Sequence, residues 1–173
     1  HSPPAGRKGA ARPLRRPGTF WEYNDVRINQ LSLALLHLFR QPLPEVFVEA
    51  ILQPVGASGP WQWIGYDCSW VGTVGRGSQR VPGGSHWGGG ISTSAADQAL
   101  VGQMLADGGL AAGHRVLSNA WIERMRAPCA LAPFYGMLVW LNGTQDVFPL
   151  AGGRGFFAIG AGTSITWVDP ERG

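Results

Sequence analysis

The apolar positions change their rhythm along the chain. From Asp25 to Arg40 the residues Val26, Ile28, Leu31, Leu33, Leu35, Leu36, Leu38 and Phe39 recur at spacings of three, four and seven. That spacing predicts a helix, apolar nearly all round towards its end and therefore buried. Asp25 is placed to cap it and to gain from the helix dipole. Pro42 and Pro44 stop it, and Glu45 to Leu52 reads as a short second helix with Pro44 in its first turn. Trp61-Gln62-Trp63-Ile64-Gly65-Tyr66 alternates large apolar with small or polar residues, as a strand does. Gly72 to Gly84 reads as a glycine-rich loop.

Ser94-x-x-Asp97 resembles a capping box, and the helix behind it runs to about Asp107, where Gly108-Gly109 ends it. Ser118 caps a further helix through Trp121, Ile122 and Met125, closed by Pro128. Phe134 to Asn142 reads as a strand with a hairpin turn at Asn142-Gly143, which with Thr144 also fits a glycosylation sequon. Phe156–Ile159 and Ser164–Val168 read as two strands joined at Gly160-Ala161-Gly162. Helices first and strands later favour an α+β fold with an antiparallel sheet flanked by helices, over a doubly wound parallel sheet.

Composition sharpens this picture in two places. The 173 residues are 45% hydrophobic and 14% charged, which fits one globular domain with a substantial core. The formal net charge of +3 is misleading, because Arg7, Lys8, Arg12, Arg15 and Arg16 precede every acid. Beyond residue 20, nine basic residues face eleven acidic ones, a net of −2. Residues 1–18 are expected to form a flexible basic lead-in, with one domain over 19–173. No basic face interleaved with aromatics supports nucleic-acid binding. No run of about 18 apolar residues supports a membrane span. Cys68 and Cys129 lack metal-ligand spacing to each other or to His37, His86 and His114, and read as buried apolar residues or at most one bridge. No cofactor motif is present.

The candidate chemistry centres on Pro17-Gly18-Thr19-Phe20-Trp21-Glu22-Tyr23-Asn24-Asp25. A Pro-Gly turn, an aromatic pair and a Tyr-x-acid step precede the first helix. This resembles the Tyr-x-Asn motif of the serine β-lactamase and penicillin-binding-protein-like hydrolases, a superfamily that also holds esterases and nylon-oligomer hydrolases. Three further blocks are similar to it and fall in the expected order. They are Gly88-Gly89-Gly90 leading to Asp97, Tyr135-Gly136-Met137-Leu138-Val139-Trp140, and Val168-Asp169-Pro170-Glu171.

The resemblance implies hydrolysis of an ester, amide or small peptide bond in a small-molecule substrate. Tyr23 would pass protons, Asp25 would orient substrate or tyrosine, and Gly160, Ala161 and Gly162 would flank the oxyanion. His86 and Trp87, in the glycine-rich stretch, are candidate substrate contacts. The superfamily's Ser-x-x-Lys pair is absent: the sole lysine is Lys8, and Ala5 stands three residues before it. A serine hydroxyl needs a neighbour to take its proton, so the chain reads as a partial domain, incomplete at both ends.

Two other readings stay open. Glu22 and Asp25 are three apart and could act as paired carboxylates of a glycoside hydrolase, with tryptophans stacking on sugar rings. Or the chain is a truncated, non-catalytic domain. Low charge and eight tryptophans also imply uncovered apolar surface and a homo-oligomer, built through the Trp61–Trp87 region or the Val26–Phe39 helix.

Overall fold

The computed structural model describes residues 13–82, 90–160 and 164–172. Its elements run α1 (Asp25–Phe39), α2 (Leu43–Phe47) continued by a π-helical turn (Val48–Leu52), β1 (Gln62–Trp63), β2 (Gly65–Thr73), β3 (Gly77–Pro82) and β4 (Ile91–Ser92). Then follow α3 (Ala95–Ala106), β5 (Leu110–Ala111), β6 (His114–Arg115), α4 (Asn119–Met125), β7 (Trp140–Leu141), β8 (Phe156–Ile159) and β9 (Ile165–Val168). Every described strand pair is antiparallel: β1 with β4, β2 with β3, β5 with β6, and the three-stranded order β7-β8-β9. The fold is α+β, as the sequence predicts.

The three-stranded sheet shows how alternation builds two different faces. Leu141 lies opposite Phe156, and Phe156 opposite Val168. All three are buried, and Leu105 and Ala106 of α3 pack against them with Met125 of α4. One residue along, Trp140 lies opposite Phe157 and Phe157 opposite Trp167. These rings stack across the other face, with centroids 6.4 Å and 5.6 Å apart, and Phe148 sets its edge on both Phe157 and Trp167. A period of two puts Leu141, Phe156 and Val168 towards the helices and Trp140, Phe157 and Trp167 on the opposite face. Gly155 is required here, since a Cβ at that position would lie 2.3 Å from the Trp167 ring.

The caps of α3 and α4 fall where the sequence puts them. Ser94 Oγ accepts from the Asp97 N–H (3.0 Å), and Ser118 Oγ accepts from the Trp121 N–H (3.1 Å). Gly108 and Gly109 take positive φ after α3.

Other readings change. Asn24, not Asp25, caps α1: its Oδ1 accepts from Val26 N–H (3.0 Å) and Arg27 N–H (3.3 Å). The helix buries one side only, through Ser32 and Leu36, while Leu38 stays 73% exposed. Residues 72–82, expected as loop, belong to the β2–β3 hairpin, in which Thr73 pairs with Gly77 and Gly75 takes positive φ at the turn. Cys68 is exposed rather than buried, and both cysteines are free thiols.

The Phe134–Asn142 strand is instead a fold-back. Gly136 N–H donates to Val139 O (2.9 Å), Leu138 takes φ 59°, and Tyr135 bridges Trp140. Asn142-Gly143 is not a two-residue hairpin turn. Asn142 is 1% exposed, and its Nδ2 donates to the carbonyls of Phe148 (3.0 Å), Ala151 (3.4 Å) and Gly152 (3.2 Å). The amide that the sequon would offer for glycosylation is committed to holding the β7–β8 connection.

Candidate functional site

Tyr23 reaches its surroundings because Asn24 starts α1 immediately after it. The capping geometry leaves the tyrosine on the extended lead into the helix, about half exposed. Its ring meets Tyr135 edge-on at 6.2 Å and tilts over Trp140 at 5.6 Å. Trp21 lies across the same group, edge-on to Phe134 (5.3 Å), Tyr135 (5.4 Å) and Trp140 (6.4 Å).

The Tyr-Gly-x-x-x-Trp spacing now has a physical reason. The turn at 136–139 brings Tyr135 back against Trp140, with ring centroids 5.0 Å apart at 87°. Gly136 lets the backbone pass Met125, whose carbonyl would stand 2.2 Å from an added Cβ. That carbonyl accepts from Met137 N–H (2.9 Å). Two separated sequence blocks therefore converge on one aromatic corner. Trp140 belongs both to this corner and to the stacked face of the sheet.

The two tyrosines differ in setting. Tyr135 is half-buried, and its phenol is pushed up to about 12, first by burial and then by the neighbouring Tyr23. It therefore stays protonated at neutral pH and can donate a hydrogen bond. Glu22 Oε2 accepts from Asn24 Nδ2 (3.0 Å), which ties the residue before the tyrosine to the helix cap after it. Asp25 contributes the first residue of α1. Gly160 ends β8, and its N–H donates to Ser164 O (2.8 Å). His86, Trp87, Ala161 and Gly162 lie outside the described residues.

Sequence reasoning singled out Tyr23 but did not place Trp21, Tyr135 or Trp140 at a site, although the Tyr-Gly-x-x-x-Trp block carried the signal. Among the described residues no group of three or more His, Cys, Asp or Glu could hold a metal ion, and no helix is long and apolar enough to cross a membrane.

No family model matches the chain. Over 39 residues, which are 22% of the chain, the sequence is 51% identical to a 6-aminohexanoate-dimer hydrolase of Paenarthrobacter ureafaciens. The match spans 10% of that enzyme's length. The similarity is short and supports, at most, a general relation to amide hydrolases.

Proposed function

We propose that the corner formed by Tyr23, Tyr135 and Trp140 is the acyl-transfer face of a β-lactamase-like serine hydrolase acting on an ester, amide or small peptide bond. The convergence of the tyrosine motif with the Tyr-Gly-x-x-x-Trp fold-back carries this reading, and the partial match to an amide hydrolase supports it.

In this scheme a serine from outside these 173 residues attacks the acyl carbon, and its proton passes to the leaving group through Tyr23. Water then breaks the acyl-enzyme by the reverse relay. Tyr135, held neutral, donates a hydrogen bond towards the Tyr23 oxygen and steadies it when it gives up its proton. Trp140 and Trp21 wall the acyl group and exclude water, which strengthens the electrostatics of the transfer. Asp25 and the backbone around Gly160 orient substrate and oxyanion.

Turnover of a 4-nitrophenyl ester, by polypeptide that includes a Ser-x-x-Lys segment, tests the assignment. Tyr23→Phe should lower kcat by on the order of a hundredfold or more, the usual scale of a lost general acid–base group. Equal rates for the two forms would remove Tyr23 from the chemistry.

A further inference from the structure

We propose that β9 is the edge on which a second copy of this chain docks: two β9 strands pair antiparallel about a two-fold axis at Thr166 and join their sheets. β9 is the outer strand of the order β7-β8-β9, and among the described residues no strand pairs with its far side. The register shows which backbone groups are left over. Gly160 N–H donates to Ser164 O (2.8 Å), so these two residues form a hydrogen-bonded pair. With a period of two, Ala158 with Thr166 and Phe156 with Val168 are hydrogen-bonded pairs as well. Ile165 and Trp167 therefore turn their N–H and C=O groups away from β8. The far side of β8 agrees. Asn142 N–H donates to Gly155 O (2.9 Å), which makes Trp140 and Phe157 a hydrogen-bonded pair. Phe157 thus spends its backbone on β7 and leaves that of Trp167, opposite it, pointing outwards.

The edge is open. A recess of about 360 Å³ runs beside it, between β9 and the flank of α3 that carries Ala95, Ala99, Gly102 and Ala106. Ile165, Thr166, Trp167 and Val168 include no charge, proline or glycine. They carry none of the devices that keep sheet edges apart. Asp169 follows them, and its carboxylate is held by Glu171 N–H (3.1 Å) and lies 3.8 Å from the Arg172 guanidinium.

Self-complementarity selects a second copy as the occupant. Rotation about Thr166 sets Ile165 opposite Trp167 of the other copy, and Trp167 opposite its Ile165. In both pairs outward N–H meets outward C=O. A shift by one residue would oppose these groups to Thr166 or Val168, whose own are bonded to β8. A shift by two would engage only one outward residue of β9 on each strand. The same register lays Ile165 beside the Trp167 indole on one face and Thr166 against Thr166 on the other, pairings that favour antiparallel strands. The two-fold keeps both α3 helices on one face of the joined sheet, where their small flanking residues let them approach. An unrelated extended peptide would meet the hydrogen bonds without the matched side chains. The proposal is independent of the acyl-transfer reading.

Sedimentation equilibrium from low to high micromolar concentration, together with amide hydrogen exchange on the same samples, tests it. A monomer–dimer equilibrium is expected. The Ile165 and Trp167 amides should be protected only where dimer is populated, whereas those of Thr166 and Val168 should be protected throughout. Ile165→Pro removes an outward N–H at the first position of β9, where proline is tolerated, and Ile165→Lys places a charge on the edge. Each should weaken the dimer roughly tenfold or more. Trp121→Ala, at an exposed tryptophan on α4, should change nothing. A single species near 18.5 kDa throughout would give the edge to a different strand and overturn the proposal. Association that leaves the Ile165 and Trp167 amides unprotected, or that neither Ile165 variant weakens, would place the contact elsewhere and overturn it equally.

Discussion

Replacing Asp97 by alanine tests how much one buried carboxylate organises this fold. Asp97 is 5% exposed, and its oxygens accept from the backbone of Ser58 and Gly59 and from the hydroxyl of Ser94. It thereby joins the segment after the π-helical turn to the start of α3, where its own N–H donates to Ser94 Oγ. Hydrogen bonds to a charged group contribute about 1.5–3 kcal/mol each, and a stranded buried donor costs about 1–3 kcal/mol.

The three donors do not lose equally. Ser58 is at the surface, so water can replace the carboxylate there, whereas the Gly59 N–H is half-buried. Ser94 keeps its role as acceptor at the cap. Discounted in this way, Asp97→Ala should cost about 2–4 kcal/mol, a large share of the roughly 5–15 kcal/mol of a typical domain. Asp97→Asn retains one acceptor oxygen and should cost about half as much. Urea unfolding followed by circular dichroism measures both, with an unchanged slope showing that the denatured state is unaltered. A cost below about 1 kcal/mol for Asp97→Ala, or a larger cost for asparagine than for alanine, would refute the reasoning.

Three shorter predictions accompany it. Gly155→Ala drives a methyl into the Trp167 ring and should destabilise by roughly 1–3 kcal/mol, seen as a lowered urea midpoint; no change would mean that the β8–β9 ladder can shift without cost. Tyr135 has its folded pKa raised from 10.0 to about 12, so its stabilising contribution is complete below pH 10 and is lost as the pH rises through about 12. Alkaline absorbance titration should show a late phenol step that vanishes in Tyr135→Phe, and persistence of that step in the variant would refute the assignment. The exposed Val26, Leu31, Leu38 and Phe39 of α1 predict self-association, which light scattering checks; a monodisperse mass near 18.5 kDa would refute it.

The sequence by itself determined what depends on neighbours three or four residues away. Ser94 and Ser118 cap their helices because a hydroxyl reaches the N–H three residues on, and Gly108 and Gly109 end α3 because glycine takes positive φ freely. The strands at Phe156–Ile159 and Ile165–Val168 were legible from apolar, β-branched and aromatic runs bounded by glycine.

Tertiary structure decided the rest. Asn142-Gly143 has the local chemistry of a hairpin turn, yet three distant carbonyls claim the asparagine amide, and a buried amide goes where it is satisfied. The helix at Asp25–Phe39 was readable from its period, but which side would be covered was not, because periodicity records apolar positions and not the surface that meets them. The site depended most on long-range contact. Tyr23 and Trp140 are more than a hundred residues apart, and only the fold-back at 136–139, permitted by a glycine beside the Met125 carbonyl, brings both tyrosines against one indole.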